Sequence, residues 1–146
     1  MGESIVVGTD GSERADRAVD EAVRLAKALG AQLHVVSAYE PLRGAKIAGA
    51  PEGAATVWAP LPDSTVESTL SQTAASARLK GDLEVTTHAV KKDPADALLS
   101  VAADVDADLI VVGNHGMHGA KRLLGSVPNE ISHKARCNVL IVSTEA

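Results

Sequence analysis

Two short glycine-bearing segments carry the residue types that could hold a phosphate. Gly8-Thr9-Asp10-Gly11-Ser12 follows the aliphatic run Ile5-Val6-Val7, and Gly113-Asn114-His115-Gly116-Met117-His118-Gly119 follows Leu109-Ile110-Val111-Val112. Glycine opens backbone conformations closed to other residues, so closely spaced glycines can turn several N–H groups into one anion-binding concavity. A third piece, Gly125-Ser126-Val127-Pro128, reads as the opening of a helix. Ser126 can cap it, and Pro128 is tolerated in the first turn, where its missing N–H is not needed. Free N–H groups and the helix dipole at such an end also favour phosphate. Any one of these glycines could do no more than make a tight turn, but two anion-binding elements behind one strand suit a polyphosphate. Asp10 fits a different role. A carboxylate beside a phosphate is repulsive, so its natural partner is a sugar hydroxyl, a base amino group or a metal. The alternative is a turn-forming Asp that accepts from its own backbone.

Other constellations fail on spacing. Gly44 to Gly49 has the glycine spacing of a phosphate-binding P-loop, but Ala50-Pro51 follows where Lys and Ser/Thr are needed. Asp104-Val105-Asp106-Ala107-Asp108 imitates the start of a calcium loop, yet its sixth position is Leu109 and its twelfth His115, so it reads as a solvated turn. His115 and His118 lack a Cys or acidic partner at zinc spacing, and no metal site is expected. His133 and Cys137 are four apart, but the helix register ends there, and Cys137 reads as a small apolar residue packed before a strand. There is no G-x-S-x-G elbow. Lys121 and Arg122 could reach a phosphate or simply face solvent.

The elements that must position these loops follow from periodicity. Ile5–Val7, Leu33–Tyr39, Leu83–Val90, Leu109–Val112 and Val139–Val142 read as strands, the third polar enough to lie at a sheet edge. Between them lie amphipathic helices. Ser12 caps the first, whose inward face is Ala15, Ala18, Val19, Ala22, Ala26 and Leu29 and which Gly30 stops. Ser64 with Glu67 forms a capping box for the second, with Val66, Leu70, Ala74 and Ala77 inward. Asp93-Pro94 opens the third, which buries Leu98, Leu99 and Ala102, and a last helix spans Val127–Ala135. Residues 41–62 are irregular, hold four of the six prolines, and carry Trp58, which could cover the site, a dimer contact or only the loop itself. Alternating strands and helices imply one α/β domain over residues 1–146, a doubly wound parallel sheet with helices on both faces. In such a sheet the ligand sits beyond the carboxyl ends of the strands, where the strand order reverses.

Composition agrees. The 146 residues lack Phe and hold one Tyr and one Trp, so Val, Ile, Leu and Ala must build the core, as suits buried parallel strands. With a net charge of -5 and no basic cluster, nucleic-acid binding is not expected, and an anionic ligand must be held by local dipoles or a bound cation. Cys137 is the only cysteine, so no intrachain disulfide can form. No apolar stretch approaches a membrane span or a signal peptide, and a cytoplasmic protein is expected.

At the two glycine segments the chain resembles a known family. Gly8-Thr9-Asp10-Gly11-Ser12 is similar to the opening motif of universal stress proteins. Val111-Val112-Gly113-Asn114-His115-Gly116 with Leu124-Gly125-Ser126-Val127 resembles the signature of their ATP-binding branch. The likeness runs from the first strand to Val142, with only residues 41–62 unmatched. It implies a five-stranded sheet of order 3-2-1-4-5 and adenosine contacts from Asp10 and the backbone of Thr9 and Ala38. It also implies phosphate contacts around Gly113, Gly116, Gly125 and Ser126, and a homodimer through the last strand, Val139, Leu140, Ile141 and Val142. The family's signature places nine residues between its second glycine and the Gly-Ser/Thr pair, whereas eight separate Gly116 from Gly125 here. The site expected on this basis comprises Gly8, Thr9, Asp10, Ala38, Gly113, Asn114, His115, Gly116, Gly125, Ser126 and Val127, binding ATP, alone or with Mg²⁺.

No residue stands as a dedicated base for water attack, so the leading expectation is a nucleotide-dependent regulator with no catalytic residue. Three alternatives remain open on sequence alone. One is a slow ATP hydrolase using His115 or His118, another a binder of AMP or cyclic AMP, which a smaller cradle would favour. The third is a dimeric interaction module without nucleotide.

Overall fold

The computed structural model describes residues 3–40, 61–114 and 127–144. In chain order these form β1 (Ser4–Gly8), α1 (Glu13–Leu29), β2 (Gln32–Glu40), β3 (Leu61–Pro62), α2 (Asp63–Leu79), β4 (Val85–Val90), α3 (Pro94–Asp104), β5 (Leu109–Gly113), α4 (Val127–Lys134) and β6 (Asn138–Val142). Five strands build a parallel sheet in the order β4-β2-β1-β5-β6. With the two-residue β3 set aside, this is the expected 3-2-1-4-5 order. β3 itself was not expected, because it lies at the end of the segment read as irregular; it pairs in parallel with Tyr39 and Glu40. Trp58 and the rest of 41–60 lie outside the described residues.

Strand alternation sends side chains to two separate cores. Ile5, Val7, Leu33, Val35 and Val111 face α1 and α2, while Val6, Val36, Ile110 and Val112 face α3 and α4. Both faces are covered, which explains strands that read as unbroken aliphatic runs.

The local signals explain where the helices begin and end. Ser12 has an extended backbone and its hydroxyl accepts from Ala15 N–H at 3.1 Å. Gly30, at φ 66°, adopts the left-handed conformation and returns its N–H to Ala26 O. The buried face of α1 is Ala18, Val19, Ala22, Val23 and Ala26. Leu29, expected inward, is 54% exposed, since it is the last helical residue beside the Gly30 stop, where the chain turns back toward β2. Helix α2 starts at Asp63, one residue before the expected cap Ser64, and buries Val66, Leu70, Ala74 and Ala77. At α3, Asp93 holds the cap position and Pro94 follows it, yet the carboxylate makes no capping hydrogen bond.

Strand β4 opens at Val85, not Leu83, whose N–H is spent on Gly81 O in a turn. The calcium-like segment is a turn from α3 into β5. Asp106 takes φ 56°, and Asp108 clips the two central strands together: its Oδ2 accepts from Ser4 N–H at 2.9 Å and its own N–H donates to Ser4 O at 2.9 Å. Among the described residues, no helix is long and apolar enough to cross a membrane.

Candidate functional site

β1 and β2 stay paired to the end of β1, where Gly8 lies opposite Val36. Beyond it the loop is fastened to the neighbouring strand. Thr9 N–H donates to Val36 O at 2.9 Å, and the buried Ser37 hydroxyl donates to Thr9 O at 2.6 Å. Two local bonds then shape the turn: Gly11 N–H to Thr9 Oγ1 at 3.0 Å, and Ser12 N–H to Asp10 Oδ1 at 2.9 Å. Asp10 is therefore a turn-former, as one reading of the sequence allowed, and among the described residues its second carboxylate oxygen, Oδ2, has no hydrogen-bond partner. Gly11 needs its missing side chain, because it sits at φ 84° with the place of a Cβ 3.2 Å from Thr69 Cγ2.

On the other side of β1, the end of β5 is fastened to β6. Asn114 N–H donates to Val142 O at 2.9 Å. Its Oδ1 accepts from Thr144 N–H at 3.0 Å and from the Thr144 hydroxyl at 3.2 Å. A Cβ on Gly113 would lie 2.8 Å from Thr144 Cγ2, closer than carbon atoms approach. Gly8 is less tight, with Leu98 Cδ1 and Cδ2 at 3.2 Å from its Cβ position.

Between these fastened ends lies a crevice. Its wall comes from Gly8, Thr9, Asp10 and Ser12, from Arg14 and Ala15 of α1, from Val36 and Ala38 of β2, and from Pro94 and Leu98 of α3. Val112 and Gly113 of β5, Val127 and Pro128 of α4, and Thr144 complete it. Six of the residues expected from sequence thus meet around one space: Gly8, Thr9, Asp10, Ala38, Gly113 and Val127. Asn114 stands just behind them, its side-chain oxygen committed to Thr144. His115, Gly116, Gly125 and Ser126 lie outside the described residues, as do His118, Lys121 and Arg122. Sequence reasoning missed Arg14, Leu98 as a wall residue, and Thr144.

The wall is mostly apolar, with Val36, Ala38, Leu98, Val112 and Val127 around it. Asp10 and Arg14 are its charged members among the described residues. That combination suits a flat, largely apolar ring system joined to hydroxyls and an anion. Among the described residues, no group of three or more His, Cys, Asp or Glu side chains is placed to hold a metal ion. Burial pushes the half-buried Cys137 thiol up, away from the thiolate that a nucleophile needs.

Outside the crevice lies a polar pair that the sequence did not announce. His34 of β2 is 6% exposed, and its Nδ1 is 3.0 Å from Nε2 of His88 on β4. The ring centroids are 5.1 Å apart, so the rings meet nearly nitrogen to nitrogen in a hydrogen bond. Nε2 of His34 is buried with no partner among the described residues. An orphaned lone pair costs less there than an orphaned N–H, which assigns the proton to His34 Nδ1 and makes His88 the acceptor. Burial lowers the proton affinity of both rings, helped at His34 by His88 and opposed at His88 by Asp104.

A parallel sheet wound on both faces, with a crevice beyond the carboxyl ends of the central strands, defines a doubly wound α/β architecture. Comparison with known proteins narrows the class. A sequence profile of the universal stress protein family matches residues 1–143. Universal stress protein Rv1636 of Mycobacterium tuberculosis is 40% identical over 146 residues, covering 97% of this chain and 96% of that protein. Among solved structures, a universal stress protein in complex with cAMP is 34% identical, with a TM-score of 0.78 and coverage of 99% and 98% of the two chains. The protein from Archaeoglobus fulgidus in complex with dAMP shares the fold at 23% identity, with a TM-score of 0.68 and coverage of 98% of each chain. The chain belongs to the universal stress protein family.

Proposed function

We propose that this chain binds an adenine nucleotide in the crevice and acts as a nucleotide-dependent regulator in the stress response. The observation that carries this reading is the meeting of Asp10, the apolar wall of Val36, Ala38 and Val112, and the Gly113 exit of β5 around one space. In this assignment the adenine lies against the apolar wall and meets the backbone of Thr9 and Ala38. Asp10 Oδ2 accepts from a ribose hydroxyl. The phosphates run toward the segment that starts at Gly113-Asn114-His115-Gly116 and returns through Gly125-Ser126-Val127. ATP is the first ligand assigned. Its Mg²⁺, where present, would ride on the phosphates, given the absence of a carboxylate or histidine cluster among the described residues.

AMP or cyclic AMP is the second reading, and two observations favour it. The signature is one residue short between Gly116 and Gly125, and a 34% identical structural neighbour is described in complex with cAMP. We further assign a homodimer through β6, whose Ile141 is 45% exposed on an edge strand. The protein is placed in the cytoplasm, where a lone, unpaired cysteine is ordinary.

Native mass spectrometry of the purified protein, followed by calorimetry with ATP, AMP and cyclic AMP, tests the reading. A bound adenine nucleotide, or a dissociation constant below millimolar, is expected. Absence of binding by all three at millimolar concentration refutes it and leaves a dimeric interaction module. Turnover of ATP that disappears on substituting His115 or His118, with binding intact, would instead favour a hydrolase.

A further inference from the structure

Resting on the nucleotide reading, we infer that Arg14 is a residue by which this crevice senses the charge of its ligand's phosphate. Through it the crevice favours a phosphomonoester or polyphosphate over a cyclic diester.

Arg14 lies in the first turn of α1 and is the wall's cation among the described residues. It stands four positions before Ala18, which is buried against the sheet. An α-helix brings such positions onto one face, so Arg14, itself exposed, lies on the side of α1 that carries Ala18, at the helix end that lines the crevice. Its place relative to β5 is close. From the position of a Cβ on Gly113, Arg14 O is 3.9 Å away and Ala18 Cβ 3.8 Å. The backbone of Arg14 therefore lies beside the point where β5 ends at Gly113.

The placement runs against local preference. The first turn of a helix favours acids, and α1 has Glu13 and Asp16 there, whereas a cation meets the positive end of the dipole. The described ion pairs are Arg24 with Glu21, Lys80 with Asp20 and Lys134 with Glu130, and Arg14 belongs to none of them. A cation held at an unfavourable place, in the wall of a crevice and outside those pairs, is available to an anion that arrives with the ligand. Asp10 and Arg14 then complement each other. The carboxylate repels phosphate and suits hydroxyls, while the guanidinium donates to the phosphate oxygens through its fork. A terminal phosphomonoester carries two charges near neutral pH and a cyclic diester one, so the same fork discriminates between them.

The test is calorimetry of wild type, Arg14→Gln, Arg14→Lys and Arg17→Gln with adenosine, cyclic AMP and AMP, at low and high salt. In Arg14→Gln, AMP affinity should fall about five- to thirtyfold, between the worth of an exposed ion pair and that of a desolvated one. Cyclic AMP should fall less, adenosine should stay within about twofold, and the salt dependence of AMP binding should shrink. Arg14→Lys should lie between wild type and Arg14→Gln. Arg17→Gln removes the same charge one turn along α1, outside the wall, and should leave all three ligands within about twofold. If Arg14→Gln weakens adenosine as much as AMP, or if Arg17→Gln matches it, the inference about Arg14 is overturned while nucleotide binding stands. If wild type binds none of the three ligands, the nucleotide reading fails and the inference falls with it.

Discussion

Gly113→Ala is the sharpest structural test, because its cost can be worked from distances. The added methyl would sit 2.8 Å from Thr144 Cγ2, where carbon atoms in contact keep about 3.5–4.0 Å. Thr144 has little room to yield. It is 2% exposed, and both its N–H and its hydroxyl are held by Asn114 Oδ1. Ala18 Cβ and Arg14 O, at 3.8 and 3.9 Å, close off neighbouring directions. Overpacking of this kind costs about 1–3 kcal/mol. Replacing a strand glycine returns about 0.5–1 kcal/mol of backbone entropy. The two terms leave a net loss of up to about 2.5 kcal/mol, centred near 1 kcal/mol, and at roughly 2–4 °C per kcal/mol for a chain of this size the centre of that range lowers the Tm by about 2–4 °C. Thr144→Ser removes Cγ2 and keeps the hydroxyl, at about 0.8 kcal/mol for one buried methyl. In the double variant the clash is gone, so denaturant unfolding of all four proteins should give a favourable coupling equal to the overpacking term, about 1–3 kcal/mol. Simple additivity in the double variant would refute the reasoning.

Asp10→Ala should weaken adenine nucleotide binding more than tenfold, since a hydrogen bond to a charged group contributes roughly 1.5–3 kcal/mol. Asp10→Asn keeps an oxygen for Ser12 N–H, so calorimetry on both variants separates the turn from the charge; equal affinity in all three proteins removes Asp10 from the site. The histidine pair makes stability depend on pH. Both rings have proton affinities lowered in the folded state, so their contribution is full above the unfolded value of about 6.5 and is lost as pH falls below it. Denaturant unfolding between about pH 7.5 and 5 should show that decline, and His88→Gln should flatten it; a slope identical to wild type would contradict the assignment. Ile141→Lys should give monomers in sedimentation without unfolding, as Ile141 is half exposed while Val139 packs against the α3 and α4 side. A wild type already monomeric at tens of micromolar would remove the dimer.

What the sequence made legible follows the range of the interactions involved. Ser12 and Gly30 could be read directly, because a cap and a left-handed stop are decided within a few residues. The sheet order came with the family resemblance and the paired strands agree with it, yet β3 was invisible, since two residues carry no periodicity. Val23 was passed over and Leu29 included in the buried face of α1, because amphipathic spacing gives a stripe but not where its partner surface ends. Gly8, Thr9, Asp10 and Gly113 were visible as strand ends that turn on glycine. Thr144 was not, because its role depends on Asn114, thirty positions away. Arg14 did leave a signal: a cation in a first helical turn, four residues before a buried alanine. His34 and His88 gave none, as a histidine within a strand reads the same whether or not another faces it.

The sheet has two unlike margins. Among the described residues, β6 ends one side with Val139, Leu140, Ile141 and Val142, and β4 ends the other with Thr86 and Thr87 exposed and Lys91 and Lys92 just beyond it. Open-ended growth through strand pairing needs two complementary margins, one to receive and one to offer. Here one margin is aliphatic and the other is polar and guarded by lysines, which resist the addition of a further strand. If the aliphatic margin pairs with itself, as proposed, that surface is used up and growth stops at two copies. The asymmetry thus permits a closed pair while withholding the second contact from which a filament would grow.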